Sequence, residues 1–217
     1  MPACPLLLGH RGARNLPNTP ENTFAAFELA LRSGCDGFEF DVRLSSDGIA
    51  MVVHDEVFDG REVAKTPAAH LANLPRLEDV LARYADRAFL DIELKVPGAG
   101  AAAVAAVHAH LPRRSLISSF LPAVLSEVRR LDDSIALGWI TDDARELKRW
   151  QGLPCESVIV HKRLVSGGLI ESVHASDRKI FVWTVNSSAE MNELSHAGVD
   201  GIISDDPELL SRTLRPR

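Results

Sequence analysis

Two carboxylates lie side by side in an otherwise apolar segment, "GFEFDV", which runs from Gly37 to Val42. In an extended strand alternate side chains face opposite ways, so Glu39 and Asp41 share one face and the apolar side chains share the other. One interpretation is an antiparallel strand with one solvated face. The other is a pair of groups that binds an ion or carries protons, and the rest of the sequence must decide between them.

Further polar residues follow other strand-like runs. His10 and Arg11 end "PLLLGHR", and Glu93 and Lys95 end "AFLDIELK". If these runs are consecutive parallel strands, their carboxyl ends meet at one edge, which brings Glu93 close to the two carboxylates of "GFEFDV". Carboxylates that close either raise one another's pKa or need a cation. Three hard oxygen donors favour one divalent cation, Mg²⁺ or Ca²⁺, over zinc.

Two histidines accompany these acids. Imidazole titrates near neutral pH, which makes His10, and His54 in "MVVHDE", candidates for a general acid and a general base. The alternative is that each is a hydrogen-bonded structural residue at the end of a strand. Arg11 and Lys95 would neutralise an anionic ligand in this acidic protein. A metal, two imidazoles and two cations together suit phosphoester chemistry.

The elements that position these residues alternate in type. Eight strand-like runs recur along the chain, and most are separated by segments whose spacing predicts helices, among them "DDARELKRW". This predicts an α/β protein with one domain over residues 1–217, a compact (β/α)₈ TIM barrel, with a doubly wound parallel sheet as the alternative. The segment "VRLSSDGIAMVVHDE" breaks the rhythm and predicts a short hairpin extension after the second strand.

The ends of the first helix can also be predicted. Thr19 is a suitable N-cap and Pro20 suits the first helical position. Gly34 can adopt the left-handed conformation that commonly ends a helix. The sequence therefore predicts a first helix that begins near Pro20 and stops near Gly34.

The amino-acid composition limits the kinds of partner that the protein is expected to bind. With 24 basic and 30 acidic residues the net charge is −6, which argues against a nucleic-acid surface. We find neither a signal peptide nor an apolar run long enough for stable membrane insertion. The three cysteines are odd in number and widely spaced, which favours free thiols and a cytoplasmic location.

Several motifs resemble one known family. "HRGA", "PENT", "GFEFDVRLSSDGIAMVVHDE", "IELK", "WTVN" and "GVDGIISDDP" are similar, in order and spacing, to motifs of the glycerophosphodiester phosphodiesterases. The resemblance runs from His10 to Pro207. It implies a (β/α)₈ barrel that uses a divalent cation to hydrolyse small glycerophosphodiesters into sn-glycerol 3-phosphate and an alcohol.

The resemblance also assigns roles to residues. It implies the following set: His10 and His54 as the acid–base pair, Glu39, Asp41 and Glu93 as metal ligands, Arg11 and Lys95 as phosphate-binding cations, and Trp183 with Phe120 as apolar walls of the substrate pocket. For the two aromatic residues, a buried position in the barrel is the alternative.

The sequence departs from the family pattern in one segment. Glu56 to Leu77 is shorter than the usual insertion after the "HD" motif and lacks its "LDRTT"-like stretch, which affects the expected substrate choice. The alternatives are a lysophospholipase D of the same family, another metal-dependent barrel enzyme such as a sugar-phosphate isomerase, and a non-catalytic phosphometabolite-binding barrel. The motifs do not specify the alcohol head group, which of Mg²⁺ and Ca²⁺ is the preferred ion, or the oligomeric state.

Overall fold

The computed structural model describes residues 4–14 and 18–215. Its strands are β1 (Leu6–Gly9), β2 (Gly37–Leu44), β3 (Ala50–Val52), β4 (Val57–Phe58), β5 (Arg61–Glu62), β6 (Phe89–Leu94), β7 (Ser115–Ser119), β8 (Leu137–Thr141), β9 (Ser157–His161), β10 (Lys179–Trp183) and β11 (Gly201–Ser204). Eight of them, β1, β2 and β6 to β11, are parallel and pair in sequence, and β1 pairs with both β11 and β2. The sheet is therefore a closed barrel, and the predicted fold is confirmed.

Helices cover the outside of the barrel. They are α1 (Phe24–Ser33), α2 (Leu77–Tyr84), α3 (Ala99–His110), α4 (Pro122–Leu131), α5 (Gly167–His174), α6 (Ser188–Ala197) and α7 (Pro207–Leu214). Each is 8 to 12 residues long. Among the helices in the described ranges, none combines the length and the apolar character needed to cross a membrane.

One predicted helix is wrong. The segment "DDARELKRW" after β8 forms turns and a 3₁₀ helix, Arg149–Gly152, instead of an α-helix. The Asp143 side chain accepts a hydrogen bond from the backbone N–H of Arg145 at 2.8 Å, a local turn that competes with helical pairing. The 3₁₀ helix still buries Trp150 against the outer core.

The hairpin extension is confirmed. Strand β3 returns antiparallel to β2, with Val42 opposite Val52, and Gly48 adopts a φ of 78° in the connecting turn. The backbone N–H of Val53 then donates to the Asp41 carbonyl at 2.9 Å. This pairing carries the next residue, His54, back to the carboxyl end of β2.

The alternation in "GFEFDV" divides the barrel wall in the predicted way. Phe38 and Phe40 face outward, and Phe38 stacks on Phe27 of α1 at 4.2 Å between ring centroids. The barrel centre holds a separate apolar cluster of Leu8, Leu116, Ile140, Ile159, Phe181 and Ile203. Glu39 and Asp41 face this interior at its upper end, and both are buried.

The first helix begins later than predicted. Its N-cap is Thr23, whose hydroxyl accepts from the backbone N–H of Ala26, and not Thr19. Asn22 has a φ of 57°, which a helical residue cannot have, so the "PENT" segment is a turn in front of the helix. The predicted end is confirmed, because Gly34 follows the helix with a φ of 99°.

Candidate active site

Three buried carboxylates lie together at the carboxyl ends of β2 and β6. Asp41 is opposite Glu93 in the strand register, and ligand oxygens of these two residues and of Glu39 all lie within 4.8 Å of one another. One oxygen of Glu39, Oε1, is buried without a hydrogen-bond partner among the described residues. The other, Oε2, accepts from the backbone N–H of Arg11 at 2.9 Å.

Two cations hold this cluster together. Lys95 Nζ lies 2.5 Å from Glu93 Oε1 and 3.3 Å from Asp41 Oδ1. Arg11 Nε lies 3.2 Å from Asp41 Oδ2, and Arg11 Nη1 donates to Glu21 Oε1 at 2.5 Å. Both side chains that were predicted to bind phosphate therefore lie beside the carboxylates and form ion pairs with them.

Burial and mutual repulsion change the acidity of the carboxyl groups. Burial first, and then the charges of Asp41 and Glu93, raise the pKa of Glu39 well above its usual value. Burial, and then the charge of Asp41, raise the pKa of Glu93 to about 7. Burial also opposes ionisation of Asp41, but the charges of Lys95 and Arg11 hold its pKa below the usual value. The cluster thus carries more carboxyl groups than its cations can neutralise.

His10 is fixed by a residue from the other end of the chain. Its Nδ1 lies 2.6 Å from Asp205 Oδ1, and a carboxylate can only accept, so Nδ1 carries the proton in this contact. The Nε2 atom then faces Glu39 Oε2 at 3.8 Å. Asn186 donates to the second oxygen of Asp205 at 2.7 Å and holds that carboxylate in place. Burial opposes ionisation of Asp205, yet its hydrogen bond to His10 lowers its pKa.

His54 lies opposite His10 and is less buried. Its Nδ1 lies 2.7 Å from Asp55 Oδ1, and its carbonyl accepts from Arg43 Nε at 2.7 Å. A third of its side chain is exposed. Both imidazoles therefore have Nδ1 engaged by a carboxylate, which directs Nε2 toward a ligand.

One cavity connects these groups. It is lined by His10, Arg11, Glu39, His54, Asp91, Glu93, Lys95, Phe120, Ile140, Ile159, Trp183 and Ile203. Every predicted site residue except Asp41 lines it, and Asp41 lies just beneath the lining at 1 % exposure.

The two predicted aromatic residues lie on the far side of the cavity. The rings of Phe120 and Trp183 meet edge to face at 5.6 Å, and the ring of His161 meets Trp183 at 5.3 Å. Lys95 Nζ lies 5.6 Å from the Phe120 ring centre. Phe120 is 36 % exposed, so it does not have the buried barrel position that was the alternative.

Several residues of this site were not predicted. Asp91 is fully buried and accepts from Ser118 Oγ at 2.5 Å, and burial raises its pKa to about 7. Its position two residues before Glu93 on the same strand was a usable signal. The contact between His10 and Asp205 joins residues that are 195 positions apart, and no pattern in the sequence indicated it.

The carboxylate cluster fits a divalent cation. It offers oxygen ligands only, and one of them, the buried Glu39 Oε1, has no hydrogen-bond partner within residues 4–14 and 18–215. Hard cations such as Mg²⁺ and Ca²⁺ take such donors. Glu39, Asp41 and Glu93 are the residues that could hold the ion.

The fold and these side chains define a (β/α)₈ barrel with a polar site at the carboxyl ends of its strands, the end where such barrels keep their active sites. A sequence model of the glycerophosphoryl diester phosphodiesterase family matches residues 10–209. The chain therefore belongs to the glycerophosphoryl diester phosphodiesterase family.

Relatives and solved structures agree with this assignment. The chain is 31 % identical over 239 aligned residues to a glycerophosphodiester phosphodiesterase of Caldanaerobacter subterraneus, covering 97 % of this chain and 98 % of the relative. It is 30 % identical to one of Bacillus altitudinis, covering 93 % and 95 %. A phosphodiesterase of Oleispira antarctica, in complex with the product sn-glycerol-3-phosphate, is 26 % identical with a TM-score of 0.85, covering 97 % and 96 %.

Proposed function

We propose that this protein hydrolyses glycerophosphodiesters to sn-glycerol 3-phosphate and an alcohol, with one divalent cation. The observation that carries the proposal is the convergence of three buried carboxylates, two imidazoles and two cations on one cavity. Membership of the family supports the substrate class. The product bound to the Oleispira antarctica relative supports the same reaction.

The cation has a defined place in this proposal. Glu39, Asp41 and Glu93 would hold it, and when bound it would screen the charge that develops on the phosphoryl oxygens. Arg11 and Lys95 bring positive charge to the same side of the cavity and orient the anionic phosphate.

The two histidines would move the protons. One accepts a proton from the attacking hydroxyl, either water or the glycerol 2-hydroxyl, and the other donates a proton to the leaving alkoxide. The Asp205 carboxylate keeps the proton of His10 on Nδ1, so that Nε2 faces the cavity. Asp55 does the same for His54. If the reaction has two steps, the histidines exchange roles between them.

A direct assay tests the reaction. Purified protein is incubated with glycerophosphocholine and Mg²⁺ or Ca²⁺, with and without EDTA, and released glycerol 3-phosphate is measured. We expect metal-dependent turnover, and we expect His10→Ala and His54→Ala each to lower kcat by about 10²- to 10⁴-fold. The matched control is His196→Ala, since this exposed residue hydrogen-bonds to the Asn192 carbonyl of its own helix and does not line the cavity.

Two results would contradict the proposal. The first is an absence of turnover on any glycerophosphodiester by metal-replete protein. The second is wild-type activity of both histidine variants. A panel of head groups, including lysophospholipids, distinguishes the glycerophosphodiesterase from a lysophospholipase D.

We also place the protein in the cytoplasm, because its cysteines are odd in number and widely spaced.

A further inference from the structure

The "PENT" turn brings a polar side chain into the floor of the site. Asn22 is 4 % exposed and has a left-handed backbone, with a φ of 57°. Its backbone N–H donates to the Arg11 carbonyl at 3.0 Å, which fixes the turn against the loop that follows β1. Asparagine is one of the few residues that accept this conformation at low cost.

The Asn22 amide clamps one residue at two points. Its Nδ2 donates to Asp41 Oδ2 at 2.8 Å, and its Oδ1 accepts from the backbone N–H of Asp41 at 3.3 Å. The amide therefore contacts both the main chain and the carboxylate of Asp41, which fixes the side-chain torsions between them. This uses the donor and the acceptor of an amide together, and a carboxylate or a hydroxyl of similar size cannot supply both in these directions.

The clamp occupies the oxygen of Asp41 that faces away from Lys95. Lys95 Nζ is 3.3 Å from Oδ1, whereas Asn22 Nδ2 and Arg11 Nε approach Oδ2. Of these partners, the lysine and the arginine side chains have more rotatable bonds, while the Asn22 side chain is short and its backbone is fixed by the hydrogen bond to the Arg11 carbonyl. The rigid constraint on the carboxylate thus comes from Asn22.

We propose that Asn22 is a positioning residue, which holds the Asp41 carboxylate in the orientation needed to bind a small divalent cation. The inference rests on the proposed function, because it assumes that Asp41 is a metal ligand. Mg²⁺ requires near-ideal octahedral geometry, whereas Ca²⁺ accepts variable geometry. A clamp of this kind therefore matters more for Mg²⁺ than for Ca²⁺.

The test removes the amide and keeps the backbone. Asn22→Gly tolerates the positive φ and deletes both contacts to Asp41. The matched control is Asn18→Gly, because Asn18 lies in the same loop with a φ of 64° and is exposed. Calorimetry on the metal-free proteins gives the Kd for Mg²⁺ and for Ca²⁺, and circular dichroism shows whether each variant is folded.

We expect Asn22→Gly to weaken Mg²⁺ binding by about 10- to 100-fold, the usual cost of losing a partner of a metal ligand. We expect a smaller loss for Ca²⁺ and no change in Asn18→Gly. If Asn22→Gly does not fold, Asn22→Ser replaces it, since its side chain is too short to reach both points on Asp41.

Two outcomes overturn the inference. One is a folded Asn22→Gly variant whose Mg²⁺ affinity equals that of the wild type. The other is an equal loss for Mg²⁺ and Ca²⁺, which shows a general loosening of the site. The proposed function fails separately: in that case the wild-type protein itself binds neither ion, or Asp41→Asn binds both as tightly as the wild type.

Discussion

The mouth of the barrel has two unlike halves. A charged arc follows β11, β1, β2 with its hairpin extension, and β6. It consists of Asp205, His10, Arg11, Glu39, Asp41, His54, Glu93 and Lys95. An apolar arc follows β7 to β10 and consists of Phe120, Ile140, Ile159 and Trp183. Ion pairs and short hydrogen bonds fix the charged arc, while packing of rings and aliphatic chains fixes the apolar arc.

This asymmetry matches a ligand that is charged at one end only. A bound phosphodiester would present its anionic oxygens to the charged arc and the carbon atoms beside them to the apolar arc. In the proposed function, groups on the charged arc interact most strongly when charge develops in the transition state, so we expect them to act mainly on kcat. We expect groups on the apolar arc to bind the ground state and the transition state about equally, and so to act mainly on KM.

The largest effect is expected on the charged arc at Glu39. Glu39→Ala removes a proposed metal ligand, whose Oε1 has no hydrogen-bond partner in the described part of the chain, and leaves the outward-facing Phe38 and Phe40 intact. We expect loss of measurable cation binding and at least about 10³-fold lower turnover, since a bound cation supplies several kcal/mol of charge stabilisation. Calorimetry and the glycerol 3-phosphate assay measure both. Unchanged metal affinity would contradict the assignment of Glu39 as a metal ligand.

The next effect concerns the contact between His10 and Asp205. Asp205→Ala leaves the His10 ring without its orienting carboxylate, so we expect kcat to fall by about 10²-fold with little change in KM. Steady-state kinetics separate the two constants. Asp132→Ala is the matched control, because Asp132 pairs with His108 on the protein surface and should not affect turnover. Equal losses in both variants would remove the special role of Asp205.

A smaller effect is expected on the apolar arc. Phe120→Ala deletes the ring between Lys95 and Trp183, and we expect KM to rise about tenfold while kcat changes little. Ile49→Ala is the control, since Ile49 has a similar exposed fraction, 37 %, and lies in the hairpin extension. A fall in kcat without a change in KM would contradict the division between the two arcs.

The smallest effect on turnover is expected beneath the charged arc, at Asp91. Because the pKa of this carboxyl rises from 3.8 to about 7 in the folded protein, its ionisation opposes folding as the pH increases through that interval. Asp91→Asn removes the ionisable carboxyl group, so the variant does not lose stability in this way. In the metal-free protein, the stability gained by the variant should be small near pH 4 and should reach its full value above pH 7.

Chemical denaturation of both metal-free proteins in EDTA at pH 5 and pH 8 measures this difference. An equal gain at the two pH values would show that the benefit of Asp91→Asn does not come from ionisation. The turnover of Asp91→Asn at saturating metal is then compared with that of Glu39→Ala, Asp205→Ala and Phe120→Ala.

Much of the fold could be predicted because its signals are local. The two-residue alternation of "GFEFDV" indicated that Glu39 faces inward and Phe38 outward, and the Asp-Gly pair indicated the turn between β2 and β3. The start of the first helix was predicted wrongly, at Thr19 instead of Thr23. Asn22 has a left-handed backbone that a helix cannot include, and its side chain contacts Asp41, 19 residues further along the chain.

The sequence by itself determined which residue types end each strand, and so the carboxylates, imidazoles and cations of the charged arc, as well as the family resemblance. Only the tertiary structure decided that Asp205 orients His10, that Asn22 clamps Asp41, and that Asp91 lies buried beneath the cluster. Closing the barrel brings strands far apart in sequence into contact, and the pKa of each buried group depends on the neighbours that closure supplies. Such contacts have no periodicity or spacing along the chain from which they could be predicted.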